Sequence, residues 1–170
     1  MTAEPPQPPP PPTQSPPFTD RAPTSTRRSA GAAALVGAGV MAAVDEIVFH
    51  QVLAWHHFYD RGTPDAALLS DGLLHAAELV AVVAGFFLLL DQRRRGALAV
   101  RAAWSGFFLG AGAFQLFDAL VDHKLLRVHQ VRYGVDLLPY DVAWTGSAVV
   151  LLAVGALLWA RQRATTNGPA

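Results

Sequence analysis

Side chains that could bind a metal or transfer protons recur at helical spacing in this chain. All six histidines and ten of the thirteen acids fall in one half of the membrane topology that hydropathy predicts. The clearest groups are Glu46–His50, Asp71–His75–Glu78 and Asp118–Asp122–His129. Ionisable side chains inside apolar helices are costly, so they mark a candidate functional site by default. Imidazole and carboxylate are ligands of zinc, iron and manganese, and metal binding is therefore the first chemistry to consider.

The expected cofactor is a divalent zinc, iron or manganese ion, held without thiolate because the chain has no cysteine. Only two methionines are present, which argues against a Cu(I) site. The preferred ligands are His50, His75 and His123. Further ligands, or carboxylates that orient an imidazole, are expected among Glu46, Asp71, Glu78, Asp118 and Asp122. Nearer the outer surface, His56, His57 and His129 are expected either to bind metal or merely to titrate.

An ideal α-helix does not aim all of these groups at one point. At the α-helical period, His123 points about 140° away from Asp118. Asp45 and His56 share a face that is turned about 100° from Glu46. Some of the polar groups are therefore expected to serve the seams between helices or the outer surface.

Three other interpretations of the polar groups stay open. Buried Asp–His pairs can hold a bundle in register without any ligand. Histidines on two helices at one depth could be the axial ligands of a haem in an electron carrier or haem-handling protein, although the crowd of acids speaks against it. A chain of Asp, Glu and His could conduct protons or cations, but helix four is apolar inward of Asp141. Whether the protein is an enzyme stays open, with Glu78 as the candidate base.

Four apolar stretches are long enough to cross a bilayer, which takes roughly 20 residues of helix. They are Ala30–Leu53, Gly72–Leu90, Ala102–Leu120 and Val142–Ala160. Hydrophobic residues make up 52% of the chain and charged residues 15%, against roughly 25% charged in soluble domains. The sequence therefore predicts an all-α membrane domain of four transmembrane helices over residues 29–161. Its partner is the lipid bilayer. The net charge of zero gives no sign of nucleic-acid binding, and neither a small-molecule or lipid substrate nor the oligomeric state can be read from the sequence.

The distribution of basic residues predicts the orientation of these helices. Nine of the thirteen Lys/Arg residues lie beside the termini or between helices two and three. By the positive-inside rule that side is the cytoplasm, which predicts a multi-pass protein of the inner (cytoplasmic) membrane with both termini inside. Residues 1–28 contain ten prolines and predict a disordered tail. Residues 162–170 form a short C-terminal tail.

The chain also contains an internal repeat with an offset of 73 residues. Each copy reads Gly-Ala-Gly, five residues, Asp, four residues, His, five residues, His. The first copy contains Asp45, His50 and His56, and the second contains Asp118, His123 and His129. The pattern predicts two helical hairpins in the same orientation, related by an axis along the membrane normal. The glycines are predicted to allow close helix packing.

The ordered polar motifs resemble a family of bacterial integral membrane proteins called domain of unknown function 2243. The resemblance covers roughly residues 30–160 and rests on the segments DEIVFHQ from Asp45, WHH from Trp55, DGLLH from Asp71, GAGAFQLFD from Gly110, VDH from Val121 and HQVR from His129. It implies a four-helix membrane protein and no established activity. The family pattern has Gly after the first Asp and a His-His pair near the end of the third helix. Glu46 and Gln130 stand at these positions here, so Glu46 is a possible additional ligand.

Overall fold

The fold is built from four long helices, seen in a computed structural model that describes residues 25–166. The helices are α1 (Thr26–Asp45), α2 (Pro64–Arg94), α3 (Val100–Phe117) and α4 (Leu138–Thr166). α1 continues into a π-helical segment, π1 (Glu46–Val52), and α3 continues into a second one, π2 (Asp118–Leu125). No strand occurs within this range. The predicted Pro-rich tail lies outside the described residues as far as residue 24.

All four helices are long and apolar enough to cross a membrane. The candidate spans are Thr26–Val52, Pro64–Arg94, Val100–Leu125 and Leu138–Ala164. The predicted all-α fold of four spans is thereby confirmed. The end of the fold where π1 and π2 lie, opposite the two termini, is called the polar end below.

Local sequence signals explain where α2 begins and ends. Thr63 precedes the helix, and its hydroxyl accepts a hydrogen bond from the Ala66 N–H at 3.3 Å. Pro64 occupies the first helical position, where its fixed φ costs nothing. Beyond the C-terminus of α2, Gly96 adopts a φ of 65°, which suits a residue without Cβ.

Glycines bring α1 and α3 into direct backbone contact along the centre of the molecule. A Cβ on Gly37 would lie 2.0 Å from the carbonyl oxygen of Phe107, and a Cβ on Gly110 would lie 2.0 Å from that of Ala34. These contacts are reciprocal, because Phe107 and Gly110 are the repeat equivalents of Ala34 and Gly37. The contacts advance along both helices together, so α1 and α3 run parallel.

α2 and α4 flank this central pair, each antiparallel to its own partner. Gly85 of α2 lies against Val36 of α1, and Gly155 of α4 lies against Leu109 of α3. Residues 85 and 155 are again equivalent, now with an offset of 70. Within the described residues, α2 and α4 do not pack against each other. The predicted hairpins therefore meet only through α1 and α3.

Burial is inverted relative to a soluble bundle. Large aliphatic and aromatic side chains of α2 and α4 are exposed, among them Leu73, Val80, Phe87 and Val150. The most deeply buried large side chains are instead His123, His129, Glu46 and Asp71. An apolar exterior around a polar interior is what lipid contact favours.

Candidate metal centre

The π-helical segments change which side chains share a face. In a π-helix the backbone hydrogen bond joins residues five apart, so a side chain lies over the one five positions earlier. His50 Nε2 lies 3.7 Å from Asp45 Oδ2, and His123 Nε2 lies 3.2 Å from Asp118 Oδ2. The expectation that His123 points away from Asp118 was therefore wrong, because it assumed an α-helical period.

The chain turns back toward the interior directly after each π-helical segment. Ala54 has a φ of 48° and Arg127 a φ of 52°, a left-handed conformation that is unfavourable for residues with a Cβ. These two residues are also 73 positions apart. The turns bring His56 and His129 beneath the π-helical histidines, so that two histidines from each repeat converge.

Backbone carbonyls of the opposite repeat fix the orientation of His56 and His129. His56 Nδ1 is 2.9 Å from the carbonyl oxygen of Val131, and His129 Nδ1 is 2.8 Å from that of Phe58. Phe58 and Val131 are themselves equivalent in the repeat. Because a carbonyl only accepts, Nδ1 carries the proton in both rings and donates it. Each Nε2 then faces the interior.

Four imidazoles form a compact cluster, here called the imidazole cluster: His50, His56, His123 and His129. Ring centroids are 4.5 Å apart for His50 and His56, and 4.6 Å apart for His123 and His129. The rings of His56 and His129 stack at 4.7 Å with an angle of 4° between their planes. All four residues are buried, and each has a ring nitrogen with no hydrogen-bond partner.

Two overlapping sets of atoms in the cluster are close enough to hold an ion. One nitrogen each from His56, His123 and His129 lies within 4.8 Å of the others, and so do ligand atoms from Asp45, His50 and His56. A third set lies beside them and consists of Glu46, His50 and Asp71. The described residues therefore hold three candidate ion sites that share members.

Acids surround the imidazole cluster and hold its edge. Glu46 Oε2 lies 2.6 Å from His50 Nδ1, and Asp71 Oδ1 lies 3.3 Å from the same nitrogen. The other oxygen of Asp71 is 2.6 Å from His57 Nδ1, and Oδ1 also accepts from the Phe58 N–H at 2.7 Å. Asp71 thus ties α2 to the segment that follows π1.

Trp144 has a role that the sequence did not indicate. Its Nε1 donates to Asp118 Oδ2 at 2.7 Å, and the residue is buried. The expectation that it serves only in an aromatic belt at the membrane surface was wrong, because its indole nitrogen faces the interior. Asp118 also lies 3.2 Å from His129 Nε2 through its other oxygen. α4 therefore supports the second half of the site through one hydrogen bond.

The predicted ligands separate into residues at the cluster and residues away from it. The histidines His50, His123 and His129 and the acids Glu46, Asp71 and Asp118 lie in or against the cluster. The His75–Glu78 pair, His57 and Asp122 belong to none of the three sets. His56 and Asp45 were absent from the preferred ligands although both belong to a set. The repeat could have identified them, since it matches them to His129 and Asp118.

The ionisation of the histidines beyond the membrane spans follows their surroundings. Burial, together with the neighbouring imidazoles of His50 and His129, lowers the pKa of His56 to about 3. Burial alone would also lower the pKa of His129, but its contact with Asp118 outweighs this effect and raises the pKa. The hydrogen bond to Asp71 raises the pKa of His57. His56 is therefore neutral, with a lone pair available on Nε2.

Comparison with known proteins identifies the family. The model of a family described as "predicted membrane protein (DUF2243)" matches residues 32–162. The chain belongs to this family. No curated protein and no solved structure matches it. The part that matches the DUF2243 family includes both π-helical segments and every residue of the imidazole cluster.

The two departures from the DUF2243 pattern have different surroundings. Glu46 stands against His50, and its Oε1 accepts from the Gln51 amide at 2.9 Å. Gln130 does not face the ring nitrogens, because its amide donates to the backbone carbonyl of His123 at 3.2 Å. Glu46 thus adds a carboxylate to the cluster, whereas Gln130 braces its backbone.

Proposed function

We propose that this membrane protein binds two divalent transition-metal ions where its two repeats meet. Each repeat supplies one set of ligands: Asp45, His50 and His56 from the first, and Asp118, His123 and His129 from the second. The observation that carries the proposal is the group of four buried imidazoles, each with a ring nitrogen that lacks a hydrogen-bond partner. Such nitrogens are costly to bury unless they bind something.

The orientation of the rings supports metal binding over a purely structural role. Metal-binding histidines usually donate their other ring N–H to a carbonyl or carboxylate, as His56 and His129 do to the carbonyls of Val131 and Phe58. Two ions are favoured over one because one nitrogen of His56 is common to two sets and can bind only one ion. The repeat assigns it to the set of Asp45. Ligands that are only nitrogen and oxygen favour zinc, iron or manganese.

Three protein ligands per ion would leave a coordination position open, which is typical of catalytic zinc sites and not of structural ones. A metal-bound water could then hydrolyse a substrate, or the pair of ions could take part in a redox step. Glu78 stays a candidate base. The neighbouring set of Glu46, His50 and Asp71 could supply carboxylates to either ion.

The geometry gives less support to the other two functions. A haem needs space between its axial imidazoles for the macrocycle, but the rings of His50 and His56 are 4.5 Å apart. A conduit needs polar groups through the whole membrane. Gly37 and Gly110 instead bring the backbones of α1 and α3 into contact, which closes the centre of the molecule.

We also propose that the protein lies in the inner membrane with both termini in the cytoplasm. The nine basic residues beside the termini and between α2 and α3 support this orientation by the positive-inside rule. The metal ions would then bind near the outer face.

Elemental analysis of the full chain purified in detergent tests the metal proposal. We expect two equivalents of zinc, iron or manganese per chain. His50→Ala and His123→Ala should each lose about one equivalent, because each removes a ligand from one set. His75→Ala is the matched control and should keep both, since His75 belongs to neither set.

Two results would overturn the proposal. One is wild-type protein that holds no stoichiometric metal after supplementation with each of the three ions. The other is a His123→Ala variant that is folded by circular dichroism and keeps the full metal content. An intense Soret absorption band would indicate haem instead.

A further inference from the structure

A second site lies between α1 and α2, outside the proposed metal ligands. It is a groove of about 470 Å³ on the lipid-facing side, within the size range of small-molecule sites. Aliphatic side chains line most of it, including those of Val40, Ile47 and Leu79. The polar groups in its wall are His75 and Glu78, which the sequence singled out and the metal sets do not use.

The His75–Glu78 pair presents hydrogen-bond acceptors to this groove. His75 Nδ1 lies 2.7 Å from Glu78 Oε1, so the ring donates that proton to the carboxylate. The side chain of Glu78 is only 4% exposed, and its Oε2 has no hydrogen-bond partner. The side chain of His75 is 56% exposed, which leaves its Nε2 open to the groove.

A saturated acyl chain could fill the aliphatic part of the groove but could not satisfy Glu78. In a membrane each buried polar group without a partner costs several kcal/mol. An anionic headgroup would be repelled by the carboxylate. A ligand that suits both parts has an apolar chain or ring and a hydroxyl that can donate a hydrogen bond.

We propose that this groove binds a membrane-soluble amphiphile through a hydroxyl group that donates to Glu78 Oε2, with His75 holding the carboxylate in place. The apolar part of the ligand lies along α1 toward Val40. None of the residues involved belongs to the two proposed ion sets, so this site stands whether or not metal binds.

Binding of radiolabelled 4-dodecylphenol to the full chain in lipid nanodiscs tests the proposal. We expect saturable binding at one site per chain. Loss of the acceptor in Glu78→Leu should weaken binding at least about tenfold, as expected for a hydrogen bond to a charged group. The methyl ether of the same probe, 4-dodecylanisole, should compete at least about tenfold less well for the same reason.

Two further variants separate the groove from general partition into lipid. Ala43→Phe fills the groove and should abolish saturable binding. Val80→Phe adds the same bulk at an exposed position of α2 that does not line the groove, and should bind as wild type does. Each variant must elute as wild type does and keep its metal content.

Several outcomes would overturn the proposal. Equal competition by the phenol and its methyl ether would show an apolar groove with no use for a hydroxyl. Stronger competition by dodecylamine would show that the site selects cations. Binding that does not saturate, or that is unchanged in Ala43→Phe, would show simple partition into lipid. Loss of metal from His50→Ala with unchanged phenol binding would leave this proposal intact.

Discussion

At the scale of single residues, hydrogen bonds around the imidazole cluster decide which atoms are available for a ligand. The carbonyls of Val131 and Phe58 hold the Nδ1 protons of His56 and His129. Each Nε2 is thereby turned inward before any ligand arrives. This arrangement lowers the entropic cost of binding, because the rings have no other orientation to lose.

Trp144→Phe tests the support that α4 gives to Asp118. The substitution keeps an aromatic ring but removes the donor to Asp118 Oδ2, and so leaves a buried carboxylate oxygen with one partner fewer. We expect the free energy of unfolding of the metal-free protein to fall by about 1–3 kcal/mol. Denaturant titration in detergent, followed by circular dichroism, measures it. Trp104→Phe, at an exposed tryptophan, is the control. Equal stability of the two variants would contradict this role.

At the scale of elements, the continuation of each α-helix into a π-helical segment creates the site. π1 and π2 bring a histidine over the aspartate that begins or precedes the segment. Such bulges are rare and are often found at functional sites. The glycines that join α1 to α3 then set the distance between the two segments, because they allow the two backbones to touch.

Gly37→Ala tests whether the seam between α1 and α3 sets the geometry of the site. The new Cβ would meet the Phe107 carbonyl oxygen, which is backbone and cannot move alone. We expect the variant to lose at least about 2 kcal/mol of stability, the usual scale for overpacking. Thermal unfolding in detergent provides the measurement. Gly72→Ala is the matched control, with no atom within 4 Å of its new Cβ, and should change stability by at most about 1 kcal/mol.

A Gly37→Ala protein that matched Gly72→Ala in stability would show that the helices separate easily. Their contact would then not determine the position of the imidazole cluster. Metal content of the two variants gives an independent reading of the same question.

At the scale of the whole molecule, two copies of one hairpin face each other across α1 and α3. The equivalences extend from the glycine contacts to the turns at Ala54 and Arg127 and to the carbonyls that hold His56 and His129. A pseudo-twofold axis thus passes between the two Asp–His–His sets. Metal ions at this junction would join the hairpins at the polar end, where the glycines do not.

Labelling of single cysteines tests the orientation proposed for the whole molecule. The chain has no cysteine, so Val135→Cys and Arg93→Cys each introduce a unique thiol at opposite ends of the fold. We expect a membrane-impermeant maleimide to label Val135→Cys in intact spheroplasts. Arg93→Cys should react only after permeabilisation, because its end carries most of the positive charge. The reverse pattern would place the proposed metal centre on the cytoplasmic side.

Much of the fold could be predicted because membrane insertion depends on properties that the sequence carries directly. Long apolar stretches identify the spans, and their ionisable residues identify the layer where polar groups must meet. The repeat was visible because Asp and His recur with one offset in otherwise apolar helices. The ligand set was harder to predict, since an α-helical period placed His123 away from Asp118 and favoured His75 over His56.

The sequence by itself thus determined four spans, two related hairpins and a shared layer of imidazoles and carboxylates, because hydropathy and burial cost act on residue type alone. Only the tertiary structure decided which imidazoles meet. The π-helical segments and the turns at Ala54 and Arg127 are locally unfavourable and persist through packing between the repeats. The hydrogen bonds that orient His56 and His129 come from residues more than 70 positions away in the chain. No local pattern encodes those contacts.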